Sequence, residues 1–192
     1  LTHSPHRRAG PAWSRRGGVV LEPLARHGVA APVRVTAKLA ALGLTLPAAV
    51  RPPPGVTLPF RLVRVVGDRA YVSGHGPLNA DGTLAGPLGQ LGRELTVEQG
   101  YHEARLTALA VLGSLERELG DLERIVAWTR VFGMVNSAPG FNQHPSVING
   151  FSELIIELFG AERGGHSRSA VGMAGLPFDL PVEVEAELVI AR

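Results

Sequence analysis

The sequence predicts an α+β fold, a mixed β-sheet with two helices packed on one face. Three observations carry this expectation. Segments with strand and helix periodicity follow one another as strand, strand, helix, strand, helix, strand, strand. Strand–helix–strand crossovers require parallel pairing in part of the sheet. Each helix has one apolar face, so both belong on the same side of the sheet. The bare side then needs cover, which another copy of the chain supplies most simply.

The elements follow in order. Residues 36–43 form a short helix stopped by Gly43, and a Pro-rich connector follows with Pro47 and Pro52-Pro53-Pro54-Gly55. The first strand spans Phe60 to Val66. Gly67-Asp68 turns the chain into a second β-rich run, Ala70 to Ser73, a hairpin pattern. Gly74 to Gly92 is a Gly-rich loop. Thr96 with Gln99 three residues on is a capping box. Val97, Tyr101, Ala104, Ala108, Val111, Leu112, Leu115 and Leu119 then share one helical face, and Gly120 is the stop. Ile125 to Val135 reads as a central strand. The second helix runs from about Pro145 to Phe159, with Ile148, Phe151, Leu154 or Ile155, and Leu158 on its apolar face, and Gly160 ending it. Two strands close the chain, His166 to Met173 and Val182 to Ile190. In the last, Val182, Val184, Ala186 and Leu188 alternate with Glu183, Glu185 and Glu187.

Composition narrows the function classes. With 192 residues, 45% apolar and 19% charged, the chain is long enough for a core that needs no staples. Cysteine is absent, which removes disulfides, thiolate nucleophiles and Cys-based zinc sites. A reducing, cytoplasmic setting fits that usage. No apolar run approaches the ~18 residues of a membrane helix. Six Arg and one Glu give residues 1–34 a charge of +5, while the other 158 residues sum to −3. The body is mildly acidic and aromatics are 5%, which argues against a nucleic-acid partner.

Three segments are expected: 1–34, a disordered basic arm; 35–55, the short helix and connector; and 56–192, the main domain. The arm admits three readings. Ser14-Arg15-Arg16 before Gly17-Gly18-Val19-Val20-Leu21 faintly resembles a twin-arginine signal, but Glu22 and Pro23 interrupt it. A basic arm for nucleic acid is the second. The favoured reading is a non-native extension, with Val35 at an alternative start, and deletion of 1–34 is expected to leave folding intact. No metal or cofactor is expected, since the seven His residues show no ligand spacing.

The chemistry concentrates near the C-terminus, in His166-Ser167-Arg168-Ser169-Ala170-Val171-Gly172-Met173-Ala174-Gly175-Leu176-Pro177 and Val182-Glu183-Val184-Glu185-Ala186. Arg168 stands among small residues on a strand, where its planar fork suits a carboxylate. The structural alternative pairs it with Glu183 or Glu185. Glu183 itself competes with being one more exposed strand carboxylate.

These segments resemble the RidA family (reactive intermediate deaminase, YjgF-like, also called endoribonuclease L-PSP). Tyr71-Val72-Ser73-Gly74-His75-Gly76-Pro77-Leu78 is similar to its Ser-Gly-Gln-x-Pro segment, and Gly120 to Val126 to its turn into the central strand. The resemblance covers about residues 56–192. It implies a chorismate-mutase-like fold and a homotrimer with clefts between subunits. It also implies hydrolysis of enamine/imine intermediates (2-imino acids) to 2-keto acids and ammonia. Arg168 matches the carboxylate-binding Arg and Glu183 the Glu that positions water. Asn149 matches a cleft-lining Asn, Ser73 and Gly74 match loop residues beside the site, and Ser169 and Ala170 leave space for the ligand. Ala170 stands where many members have Cys, His75 replaces the common Gln, and the Gly-Pro-Tyr-Ser segment is missing. Two other functions stay open: a non-catalytic trimer that binds a small carboxylate metabolite as a sensor or partner protein, and the endoribonuclease of the family name, which the acidic body disfavours.

Overall fold

The computed structural model describes residues 34–192. The expectations for the basic arm therefore lie outside the described residues, except at Arg34, whose guanidinium meets Asp121 at 2.8 Å. Helix α1 (Val35–Ala41) buries Val35 and Leu39. The connector after it has no regular structure but is tied to the body. Pro47 O accepts from Arg117 Nη1 at 3.0 Å, and Arg51 N donates to Gly82 O at 2.8 Å.

Strand β1 (Val63–Val66) begins three residues later than the periodicity predicts. Leu58, Phe60 and Leu62 line a cavity ahead of it; Leu62 O accepts from Ser73 N at 2.9 Å without extending the strand, and Phe60 is 53% exposed. Strand β2 (Arg69–His75) runs beyond Ser73 through a bulge between Val72 and His75. The predicted loop thus starts two residues late.

Helix α2 (Val97–Leu119) has the expected capping box, with Thr96 N donating to Gln99 Oε1 at 2.9 Å. Gly120 closes it at φ 78°. The expected single apolar face is too narrow. Every residue from Thr107 to Leu115 is buried, because the connector crosses the outer side, where Pro47 O accepts from Arg117 and a Cβ on Gly113 would lie 3.2 Å from it. Strand β3 (Ile125–Asn136) follows. Helix α3 (His144–Gly164) breaks at Gly160 (φ 79°, ψ 164°), then resumes for one turn instead of ending there. At Gly150 the two long helices touch backbone to backbone: a Cβ would overlap Tyr101 O. Strands β4 (Ser167–Met173) and β5 (Val182–Ile190) complete the chain.

The five strands form one mixed sheet in the order β1-β2-β5-β3-β4. Only β3 and β4 pair in parallel, as the β3–α3–β4 crossover requires. β5 lies between β2 and β3, antiparallel to both. Alternate residues sort the two faces. Val131, Leu188 and Val184 join Phe151, Leu154 and Leu112 in the core on the helix side. Trp128 centres that core, edge-on to Phe151 and Phe159 at 5.9 and 5.8 Å. Tyr71, Val126, Arg130 and Glu185 stand exposed on the bare side, with Arg130 reaching Glu187 at 3.6 Å.

Candidate functional site

Arg168 lies opposite Val131 in the parallel pair, and Val131 lies opposite Ala186, so all three point to the helix side. There the Arg168 fork rests on α3. Nη1 donates to Ser152 Oγ at 2.9 Å and Nη2 to Pro145 O at 3.3 Å. Asn149, four residues after Pro145 and three before Ser152, shares the helix face that the fork spans. Ser152 Oγ also meets His166 Nε2 at 2.9 Å, and His166 Nδ1 meets Gly164 O at 2.7 Å. Burial lowers the His166 pKa, which favours the neutral ring. The carbonyl fixes the proton on Nδ1, and Nε2 accepts from Ser152. The hydroxyl thereby turns its lone pairs to Arg168. Sequence reasoning missed Ser152 and His166. A signal existed for the second, since a residue two before Arg168 shares its strand face.

The ion pair weighed for Arg168 does not form. Glu183 and Met134 are opposite one another, as are Glu185 and Phe132, so both carboxylates point to the bare side. Ser169 lies there too, opposite Phe132, away from Arg168. Ala170, opposite Gly133, packs against the core beside Arg168.

Glu183 departs from its strand neighbours. Glu185 is exposed and Glu187 meets Arg130, but Glu183 is half-buried in the wall of a cavity of about 140 Å³. Its carboxyl packs on the bare backbone of Gly74, where any Cβ would overlap Oε1. Burial, with a smaller push from Glu185, raises its pKa above the ordinary carboxylate value. Ser73 stays apart from that cavity; its hydroxyl donates to Arg61 O at 2.8 Å, and it lines a neighbouring groove with Tyr71 and Arg130. His75 is committed to the core, with Nε2 at 2.9 Å from Ser114 Oγ and Nδ1 at 2.7 Å from Ser73 O. Burial lowers its pKa, so a neutral ring ties β2 to α2.

The predicted residues thus fall into two groups, Arg168 with Asn149 and Ala170 on the helix side, and Glu183 with Gly74 on the bare side. From strand spacing and register, the Arg168 and Glu183 backbones lie roughly 14 Å apart along the sheet, with side chains on opposite faces. One small substrate cannot touch both within one copy. Among the described residues, no three of His, Cys, Asp and Glu cluster as metal ligands.

The family model described as "YjgF/chorismate_mutase-like, putative endoribonuclease" matches residues 36–183. This chain belongs to that family. Protein TCP17 of Trypanosoma cruzi is 42% identical over 158 residues, covering 82% of this chain and 95% of TCP17. Atu1372 of Agrobacterium tumefaciens, a crystal structure of unknown function, is 35% identical. It superimposes with a TM-score of 0.71 over 81% of this chain and 91% of its own. A "putative endoribonuclease" from Shewanella oneidensis MR-1 is 31% identical, with a TM-score of 0.74 over 82% of this chain and 100% of its own. The YjgF-like mixed sheet with its helices on one face is the fold that the sequence predicts. Among the described residues of this YjgF-family chain, no helix is long and apolar enough to cross a membrane.

Proposed function

We propose that this protein hydrolyses 2-imino acids and their enamine tautomers to 2-keto acids and ammonia, in a cleft between copies of a homotrimer. The observation that carries the reading is the Arg168 fork. A hydroxyl and a carbonyl hold two of its nitrogens. Among the described residues, no carboxylate lies within ion-pair distance of it. A guanidinium so placed suits a substrate carboxylate, with Asn149 beside it and Ala170 leaving room. Glu183 from a second copy supplies the proton acceptor. Water attacks C2 of the protonated imine and its proton passes to the Glu183 carboxylate. The tetrahedral adduct then takes that proton on nitrogen, the C–N bond breaks to release ammonia, and the hydroxyl gives its proton to the freed Glu183 carboxylate as it becomes the keto oxygen. The departing ammonia takes that proton away as ammonium. A raised Glu183 pKa makes the carboxylate a better base, and the fixed fork provides proximity. The bare sheet face, with Tyr71, Val126 and Phe132 on it, supports assembly of copies. The test is ammonia release from 2-imino acids generated in situ by an amino-acid oxidase. Release no faster than in buffer overturns the reaction and leaves a carboxylate-binding protein.

Arg168→Lys is expected to fail nearly as badly as Arg168→Ala, because an ammonium cannot reproduce two parallel bonds. Loss of the charge-assisted pair costs about 1.5–3 kcal/mol, roughly ten- to a hundredfold in affinity for a 2-keto acid. Calorimetric titration of wild type and both variants measures it; equal affinity in all three removes the clamp.

Two inactive variants should also rescue each other. When Arg168→Ala and Glu183→Gln chains are unfolded, mixed equally and refolded together, chance assortment gives about one site in four both intact groups. A mixture as inactive as its parents would place both groups in one copy's site.

A further inference from the structure

We infer that the cavity beside Glu183 is a side-chain pocket that selects 2-imino acids with uncharged apolar side chains, from leucine to phenylalanine in size. The inference rests on the proposed reaction and adds the substrate class. Leu58, Phe60, Leu62, Leu78, Leu84 and Leu180 line the cavity. Glu183 is the one acidic or cationic side chain among its lining residues. A substrate carboxylate is therefore repelled from it, and the part of the substrate that enters is the apolar one. Glu183 stands at the wall, so a substrate with its side chain inside presents C2 to that carboxylate. Its own carboxylate then points outward, where a cation of another copy can meet it.

Size sets the class. The volume is about 140 Å³, and an apolar cavity of ~150 Å³ admits benzene. A methyl group leaves such a space mostly empty, whereas isobutyl or phenyl fills it. The walls come from distant segments. Leu58, Phe60 and Leu62, just ahead of β1, supply one side. Phe178 supplies another from a strained backbone. Phe178 and Asp179 have φ of 57° and 59°, a conformation side chains avoid and proteins keep mainly at functional sites. Fully buried Asn136 fixes them, with Nδ2 donating to Asp179 Oδ1 at 3.0 Å, and Gly89 N donates to Asp179 O at 2.8 Å. The strain holds a Phe ring, 42% exposed, at the cavity rim.

The experiment compares kcat/KM for the imines of alanine, 2-aminobutanoate, leucine and phenylalanine. In parallel it compares affinities for pyruvate and 4-methyl-2-oxopentanoate, which need no chemistry. Each buried CH₂ contributes about fourfold, so leucine imine should exceed alanine imine by roughly 50-fold. Leu58→Trp, which fills the pocket, should bring that ratio close to one. Leu58→Ala, which opens a wall, should lower it as well and covers the case in which the larger variant misfolds. Melting temperatures check both. Hydrolysis with equal kcat/KM for methyl and isobutyl substrates overturns the pocket and leaves the reaction standing. If no imine is hydrolysed, yet 4-methyl-2-oxopentanoate binds far tighter than pyruvate and Leu58→Trp erases the difference, the reaction falls and the pocket stands. Equal affinity for the two keto acids overturns the pocket in either case.

Discussion

Glu183→Gln should slow imine hydrolysis by about 10²–10⁴-fold, the usual contribution of a positioned base. The substitution keeps shape and removes only the proton acceptor. Stability should move the other way. Burial raises the Glu183 pKa in the fold, so the unfolded chain gives up this proton at a lower pH than the folded one. The group's stabilising effect is full below the unfolded pKa and is lost as pH rises through the folded one. At pH 7.5 the charge is a burden that Gln lacks, so the variant should melt no lower than wild type. The wild-type rate should climb with pH through a midpoint above the ordinary Glu value, and the Gln variant should lack that climb. A pH–rate profile and a melting curve on the same samples test both. Full activity in Glu183→Gln would remove the base.

The second large effect concerns a group outside the site. Glu103 on α2 is 1% exposed, and its Oε2 has no hydrogen-bond partner. Burial pushes its pKa up from 4.5 to about 7. Below pH 4.5 the carboxyl is neutral folded and unfolded, and costs little. Between pH 4.5 and 7 only the unfolded chain releases the proton, so stability falls as pH rises, by about 1.4 kcal/mol per unit. Above pH 7 about 3 kcal/mol has gone. Glu103→Gln cannot ionise. Urea unfolding at pH 5, 6, 7 and 8 should show the variant gaining on wild type up to about pH 7 and levelling off beyond it. The comparison isolates Glu103 from His75 and His166, which titrate in both proteins. Parallel stability curves would show that the carboxyl reaches water.

What could be read from the sequence follows how local the cause is. The capping box at Thr96, the turn at Gly67-Asp68 and the alternation in β5 are set by residues a few positions apart, and each was legible. The start of β1 was not, because Phe60 and Leu62 are drawn to a cavity wall that includes Phe178 and Leu180. The single face assigned to α2 failed for the same kind of reason: the connector crosses it at Gly113 and Arg117, and periodicity carries no record of it. Glu103 escaped notice because a carboxylate interrupts an apolar pattern, and nothing in the pattern says the position is enclosed. For the candidate site, motifs singled out Arg168, Asn149, Gly74 and Glu183. That Arg168 and Glu183 point to opposite faces depends on the registers of β4 on β3 and β3 on β5, which no motif encodes. Ser152 meets His166 only where α3 lies against the start of β4.

The position of β5 governs when this chain can fold during synthesis. It follows the other four strands in the chain, yet it lies at the middle of the sheet and pairs Val72 with Ala186 and Val131 with Ala186. Until residues 182–190 have left the ribosome, the β1–β2 hairpin and the β3–α3–β4 unit have no shared strand to join them. At ~5–20 residues per second, the apolar faces of α2 and α3 wait several seconds without their full sheet. Pairings this distant in sequence also close slowly. Sheet assembly is therefore a late event, and the waiting interval is when a chaperone has most to shield.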